Sequence, residues 1–254
     1  MTKPSKARIR QSFDKAAATY DGAAALQRTA CQLLLQGLPA KPGVRCWLDA
    51  GCGTGHILPQ LQTRHPEALA LALDLAPGML ERIGTPCCRI SGDLEHLPFA
   101  DASIDLYWSS LAIQWCDLRR ALAEARRVIA PGGHLAIATL GPATFHEMRD
   151  AFARIDPHRH TLAFHTADEI AAAARARGFA AVLTQATREV LHYPDLRSLL
   201  RAVKAVGANQ VGDGRRNSLL GRAAFARLEA AYNSWRQPAG LPLTYEVITL
   251  HCSR

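Results

Sequence analysis

A glycine-rich turn with an acid ahead of it, Asp49-Ala50-Gly51-Cys52-Gly53-Thr54-Gly55, is the densest chemical signal in the chain. Its glycines let a ligand approach the backbone, and the helix expected after it offers unpaired N–H groups. The GxGxG spacing is neither the GxxxxGK[ST] of a phosphate loop nor the GxGxxG of a dinucleotide site. Asp74 closes the next apolar run, LALALD (69–74), where an acid can accept hydrogen bonds from both hydroxyls of a ribose. Farther on, Gly92-Asp93-Leu94-Glu95 follows a third apolar run. Asp93 can accept from an exocyclic adenine amine with Leu94 against the ring; the alternative is a polar turn.

Other candidates lie near the expected mouth of this site. Tyr20 is on an N-terminal segment that can fold over it. Gln114 and Trp115 come just past the carboxyl end of the fourth expected strand, where ligands of open α/β sheets bind. These three are the candidates for contact with the reacting groups, against the reading that the aromatics only pack. Arg201, Lys204 and Asn209 are candidate contacts for an anionic substrate, against the reading of a solvated helix face. His158, His160 and His165 form a loose cluster that fits a polar loop better than a metal site, and no metal is expected.

These residues need a scaffold, and the pattern supplies one. Helices are expected at 5–19 and 23–37, ended by Pro39 and Pro42. Strands at 46–50, 69–74, 87–91, 103–110 and 134–140 then alternate with helices at 56–64, 77–83, 118–128, 143–154 and 167–177. The turn Pro131-Gly132-Gly133 is expected to precede the fifth strand. This alternation predicts parallel βαβ units and a doubly wound, mostly parallel seven-stranded sheet of the α/β class. Two further strands, 180–192 and 244–252, are separated by helices at about 195–206 and 219–235 joined by a Gly-rich link, 207–217. Long intervening segments of this kind are usually lids or binding loops. The expected organisation is one domain over 1–254: a helical cap (1–42), a ligand-binding core (43–192), a helical lid insertion (193–242) and a final strand (243–254).

Asp49 to Gly55, Asp74, GDLEHLPF (92–99) and the fourth strand together resemble the class I S-adenosylmethionine-dependent methyltransferases, through residues 46–140. A narrower resemblance, to the malonyl-acyl-carrier-protein O-methyltransferases of early biotin synthesis, covers nearly the whole chain. It is carried by FDKAAATYDGAAALQ (13–27), SSLAIQW (109–115), FHTADEI (164–170), LLRAVKAVGANQ (199–210) and LPLTYEV (241–247). The chain departs from that pattern at Ser110, where Asn is common, and at Thr139–Thr144.

The resemblance implies S-adenosylmethionine as cofactor and the free carboxylate of a malonyl thioester on acyl carrier protein, an acidic partner, as methyl acceptor. It implies that Asp49 and the glycine loop (Gly51, Cys52, Gly53, Thr54, Gly55) hold the amino-acid part of the cofactor. Asp74 with Leu75 would hold the ribose, Asp93, Leu94 and Glu95 the adenine, and Tyr20, Gln27, Met79 and Ser109 would complete the shell. Small-molecule or quinone methyl transfer, on the same cofactor half, is the alternative. A cofactor-binding protein without catalysis is a remoter one.

Composition limits the remaining classes. The 254 residues are 48% hydrophobic and 20% charged, ordinary for a globular domain large enough to bury a core without disulfides or metals. Seven cysteines with no CxxC pair argue against a disulfide framework or a zinc site, and so for a reducing compartment. With no signal peptide and no apolar run long enough to span a bilayer, a cytoplasmic protein without membrane contact is expected. The net charge of +8 favours an anionic partner, but the basic residues are dispersed. Ser109-Ser110-Leu111-Ala112 stands where base-modifying enzymes carry [DN]PP[YF], so no nucleic-acid partner is expected. A monomer is expected.

Overall fold

The computed structural model describes residues 4–40, 43–205 and 221–254. Helices α1 (Lys6–Ala16), α2 (Tyr20–Ala23) and α3 (Ala25–Gln36) precede the sheet. The helix expected over 23–37 is α3; a separate short turn, α2, precedes it, and residue 24 leaves helical geometry between them (ψ 34°).

The core alternates β1 (Cys46–Ala50), α4 (Leu58–Arg64), β2 (Leu69–Asp74), α5 (Pro77–Leu80), β3 (Cys88–Ser91) and β4 (Ile104–Ser110). It continues with α6 (Leu118–Val128), β5 (Ile129–Leu140), α7 (His146–Ala153), α8 (Ala167–Ala176) and β6 (Ala180–Tyr193). The chain ends with α9 (Leu196–Ala205), α10 (Arg222–Asn233) and β7 (Leu241–Ser253).

The seven strands form one sheet in the order β3-β2-β1-β4-β5-β7-β6. All neighbouring pairs are parallel except those of β7, which runs antiparallel to β5 and β6. The chain leaves β1 for β2 on one side and returns to β4 on the other, so a crevice opens at the carboxyl ends of β1 and β4. The glycine loop lies at that point.

Both faces of the sheet are covered. Trp47, Trp108 and Ala136 pack toward α3, α4 and α7, while Leu48, Tyr107 and Ile137 pack toward α6 and α8. Buried on both sides, the central strands read as continuous apolar runs rather than as alternations.

One expectation fails locally. Pro131-Gly132-Gly133 is not a turn ahead of the fifth strand but an irregularity inside β5: Ile104 pairs with Ile129 while Leu106 pairs with His134. Gly132 adopts φ +72°, and a Cβ on Gly133 would stand 2.4 Å from Ile129 Cγ2, so only glycine fits the second position.

Candidate active site

The loop after β1 is pinned by its own backbone. Gly51 and Cys52 N–H donate to Leu73 O at 2.7 and 3.0 Å, tying it to the end of β2. Gly51, Gly53 and Gly55 all have positive φ. A Cβ on Gly51 would lie 2.3 Å from Ala112 Cβ, and one on Gly55 2.7 Å from Leu58 Cδ1. Gly53 faces the Tyr20 ring.

Asp74 joins the same loop. Its Oδ2 accepts from Gly53 N–H and its Oδ1 from Ala76 N–H, each at 2.8 Å, which fixes the carboxylate's plane. Burial outweighs those two bonds and lifts its pKa. Asp49, 2% exposed, is pushed up to about 8 by burial and then by the charge of Asp74. Burial, followed by the nearby Asp74 carboxylate, also holds the Tyr20 phenol above its ordinary value, so it remains a hydroxyl donor at neutral pH.

Two adjoining cavities share Phe13, Tyr20, Leu111 and Trp115 as walls. The narrower, about 70 Å³, runs along Gly51, Gly53, Asp74, Leu75, Met79, Asp93 and Leu94. The wider, about 320 Å³, is bounded by Gln27, Gln114, Phe145, Phe152, Arg159, His160 and residues of α9 and β7. Leu111 and Phe145, non-glycine residues with φ +50° and +60°, stand on these walls. Backbone strain of this kind collects at functional sites.

Most of the residues expected to act together are thus brought together. Trp115 is 8% exposed and meets Phe13 edge-on, ring centroids 5.7 Å apart. Gln114 is held by its own turn: Nε2 donates to Leu111 O at 2.6 Å, and Oε1 accepts from Thr139 Oγ1 at 3.3 Å. Gln27 presents a buried Oε1 with no partner among the described residues.

Eight expected site residues line neither cavity: Asp49, Cys52 and Gly55 in and before the glycine loop, Glu95 on a neighbouring groove, and Thr54, Ser109, Arg201 and Lys204. Ser109 is fully buried in β4 and donates to Ala50 O at 2.7 Å, which locks β4 to β1. Thr54 turns its hydroxyl outward to Asp21, in an exposed pair. Arg201 and Lys204 lie on the exposed side of α9, where Arg201 bonds Arg197 O and Ser198 Oγ, while Leu200, Ala202 and Val203 face the wider cavity. Helix phase is the reason: α9 buries Leu196, Leu199 and Val203, which turns positions 201 and 204 toward water. Asn209 and the Gly-rich link lie outside the described residues.

Sequence reasoning missed Lys6. Its ammonium pairs with Asp93 at 2.9 Å and Glu95 at 2.6 Å and reaches Cys116 Sγ at 3.5 Å. Burial works against its charge, but Cys116, Glu95 and Asp93 outweigh that and hold its pKa above the ordinary value. Among the described residues, Asp93, Glu95 and Cys116 form the one group close enough to ligate a metal ion, and Lys6 sits against all three. Asp93 Oδ1 takes both Lys6 and the Glu95 N–H.

Residues 48–137 match the family model of a methyltransferase domain. A malonyl-[acyl-carrier protein] O-methyltransferase of Dechloromonas aromatica is 60% identical over 253 residues, covering 100% of this chain and 96% of that protein. The chain belongs to the malonyl-[acyl-carrier protein] O-methyltransferase family. The biotin biosynthesis bifunctional protein BioHC of Cellvibrio japonicus is 40% identical over 96% of this chain, which spans 49% of that longer protein. The YcgJ protein of Bacillus subtilis shares the fold, with a TM-score of 0.61, 19% identity, and coverage of 89% of this chain and 98% of that one.

The cofactor of this family, S-adenosylmethionine, fits the residues present. The positive-φ glycines leave the loop backbone open to contact, and each Asp74 oxygen keeps lone-pair capacity beyond its one backbone bond. The orphaned Gln27 Oε1 is an acceptor suited to an ammonium donor, and Asp49, lifted by burial, would be relieved by a cation. No described helix of this methyltransferase is long and apolar enough to cross a membrane.

Proposed function

We propose that the protein transfers the methyl group of S-adenosylmethionine to the free carboxylate of a malonyl thioester on acyl carrier protein. The observation that carries this reading is the 60% identity over the full chain, since it spans the N-terminal helices and the α9–α10 insertion as well as the cofactor half. In this reading the glycine loop, Asp49 and Gln27 hold the amino-acid end of the cofactor, Asp74 the ribose, and Asp93 with Leu94 the adenine. Tyr20 and Trp115 stand where the two cavities meet, and Gln114 lines the wider one.

When bound, the cofactor supplies an electrophilic methyl on a cationic sulfur; it would give that methyl to a carboxylate oxygen and depart as a neutral thioether, leaving a methyl ester. A carboxylate is ionised at neutral pH, so no residue has to remove a proton before attack. The protein's part is alignment and exclusion of water. Trp115, Phe13 and Tyr20 close the junction with apolar surface, and the Tyr20 hydroxyl and Gln114 amide add fixed dipoles that do not compete as nucleophiles.

The carrier has an approach route. A groove of about 1320 Å³ reaches the wider cavity through Trp115 and Phe164, which line both. Arg119, Arg120 and Arg177 border it. Its acids are engaged: Asp117 caps α6 at Arg120 N–H, Glu169 caps α8, and Glu95 pairs with Lys6. This groove is the basic face we assign to an acidic partner. The decisive experiment incubates methyl-labelled cofactor with malonyl-acyl carrier protein, malonyl-coenzyme A and free malonate, with mass detection of the ester. Label in the carrier-bound malonyl methyl ester is expected; no transfer to any malonyl compound would overturn the reading.

A further inference from the structure

The wider cavity mixes apolar walls with the polar side chains of Gln27, Gln114, Thr161 and three tyrosines, and among the described residues that line it Arg159 is the only one with a permanent charge; no carboxylate does. Beside it stands His160, whose ring lies flat on Phe152, centroids 3.6 Å apart at 13°. Asp156 Oδ1 is 2.9 Å from His160 Nε2 and also accepts His158 N–H at 2.9 Å, so a single carboxylate braces the connection between α7 and α8 from inside. The His160 side chain is 15% exposed. Stacked on one face and tied at one nitrogen, the imidazole has little freedom.

A chamber with one guanidinium, one fixed imidazole and no lining acid among the described residues suits a single anionic group. A carboxylate entering it loses its hydration, and only charged or hydrogen-bonding donors can replace that hydration. The cations of α9 cannot do so, since Arg201 and Lys204 face water while the same helix offers Leu200 and Val203 to the chamber. His160 paired with Asp156 has the form of a general base, yet a carboxylate acceptor has no proton to give up.

We propose that Arg159 and His160, not Arg201 or Lys204, seat the acceptor's carboxylate, with Asp156 as the positioning residue for His160. The assignment rests on the carboxyl methyl transfer argued above and adds the groups that select the acid over its ester. Arg159 engages one oxygen and leaves the other for attack, so esterification removes the charge that held the acyl group and favours release. An uncharged acyl chain forgoes this charge-assisted contact and so binds less well.

The test measures, for Arg159→Gln, Arg159→Lys, His160→Ala and Asp156→Asn, the affinity for S-adenosylhomocysteine and the kcat and KM for malonyl-acyl carrier protein. Inhibition by acetyl-acyl carrier protein is measured beside them. Cofactor-product affinity is expected to stay within about twofold of wild type, while KM rises at least tenfold in Arg159→Gln and less in Arg159→Lys, which keeps the charge. Asp156→Asn should raise KM with little change in kcat. Preference for malonyl over acetyl carrier should shrink in Arg159→Gln. Wild-type KM and wild-type preference in both Arg159→Gln and His160→Ala would overturn the assignment and leave the methyl transfer standing. Failure of the wild-type enzyme to methylate any malonyl thioester would overturn both.

Discussion

Asp49 and Asp74 show how one scaffold gives two carboxylates different work. Asp74 is satisfied by two backbone N–H groups, whereas Asp49 sits 2% exposed and pushed up to about 8. At pH 7 the free protein therefore holds Asp49 protonated. If Asp49 pairs with the cofactor's ammonium, it must ionise on binding, so a proton is released. The sign follows: affinity rises with pH up to about 8 and falls about tenfold per unit below it. By the same shift, Asp49's contribution to the stability of the unliganded fold is present below the ordinary aspartate pKa and is lost as pH rises through about 8. Calorimetry in buffers of different ionisation enthalpy should find close to one proton released near pH 7 for wild type and none for Asp49→Asn; equal release by both would remove Asp49 from the ammonium contact. Asp74→Ala should weaken S-adenosylhomocysteine binding by about 1.5–3 kcal/mol, the range for hydrogen bonds to a charged group, and unchanged affinity would take Asp74 off the ribose.

At the scale of elements, the loop after β1 works only as glycine. Gly51→Ala combines a left-handed residue, roughly 1–3 kcal/mol, with a Cβ 2.3 Å from Ala112 Cβ. A fall in Tm of roughly 4–8 °C is expected at about 2–4 °C per kcal/mol. Adding Ala112→Gly should restore part of it, since the clash goes and the φ strain stays; no recovery at all would place the whole cost in the backbone. This loop was legible because its residues are contiguous and follow a strand whose apolar run is unmistakable. Asp74 and Asp93 were legible for the same reason, Asp74 closing β2 and Asp93 standing two residues past β3. The acceptor chamber was not: Phe13, Gln114, Phe152, Arg159 and Tyr245 come from five separate segments, and only the folded chain puts them on one wall. The outward phase of Arg201 and Lys204 was readable from Leu196, Leu199 and Val203, and the Asp156-to-His160 spacing was visible. Nothing in the sequence marks Arg159 or joins Lys6 to Asp93 and Glu95 across some ninety residues.

At the scale of the whole molecule, two devices give access to the buried site. The first is α1, which Lys6 ties to the segment after β3 across a cofactor cavity of only about 70 Å³, below the ~300 Å³ at which ligand pockets usually begin. If the cofactor occupies this cavity, α1 is the element whose displacement would make room for it. Lys6→Ala leaves Asp93 and Glu95 without their cation, so amide exchange over residues 6–16 should quicken; unchanged protection would show that Ile9, Phe13 and the Gly78 N–H bond to Asp14 hold the helix without Lys6. The second is the groove bordered by Arg119, Arg120 and Arg177, which shares Trp115 and Phe164 with the wider cavity. The net charge of +8 acts on a partner at a distance, and such steering is screened as the Debye length falls from about 10 Å at 0.1 M salt to about 3 Å at 1 M. Loss of steering lowers the rate of encounter by about ten- to a thousandfold, and contacts inside the chamber are largely spared. Rising salt should therefore depress kcat/KM for malonyl-acyl carrier protein more steeply than for malonyl-coenzyme A. The double variant Arg119→Glu, Arg120→Glu should reproduce that difference at low salt, because Asp117 caps the backbone N–H of Arg120 and leaves its side chain free to change. If the double variant slows both thioesters equally, the arginines serve the thioester arm and the carrier docks elsewhere.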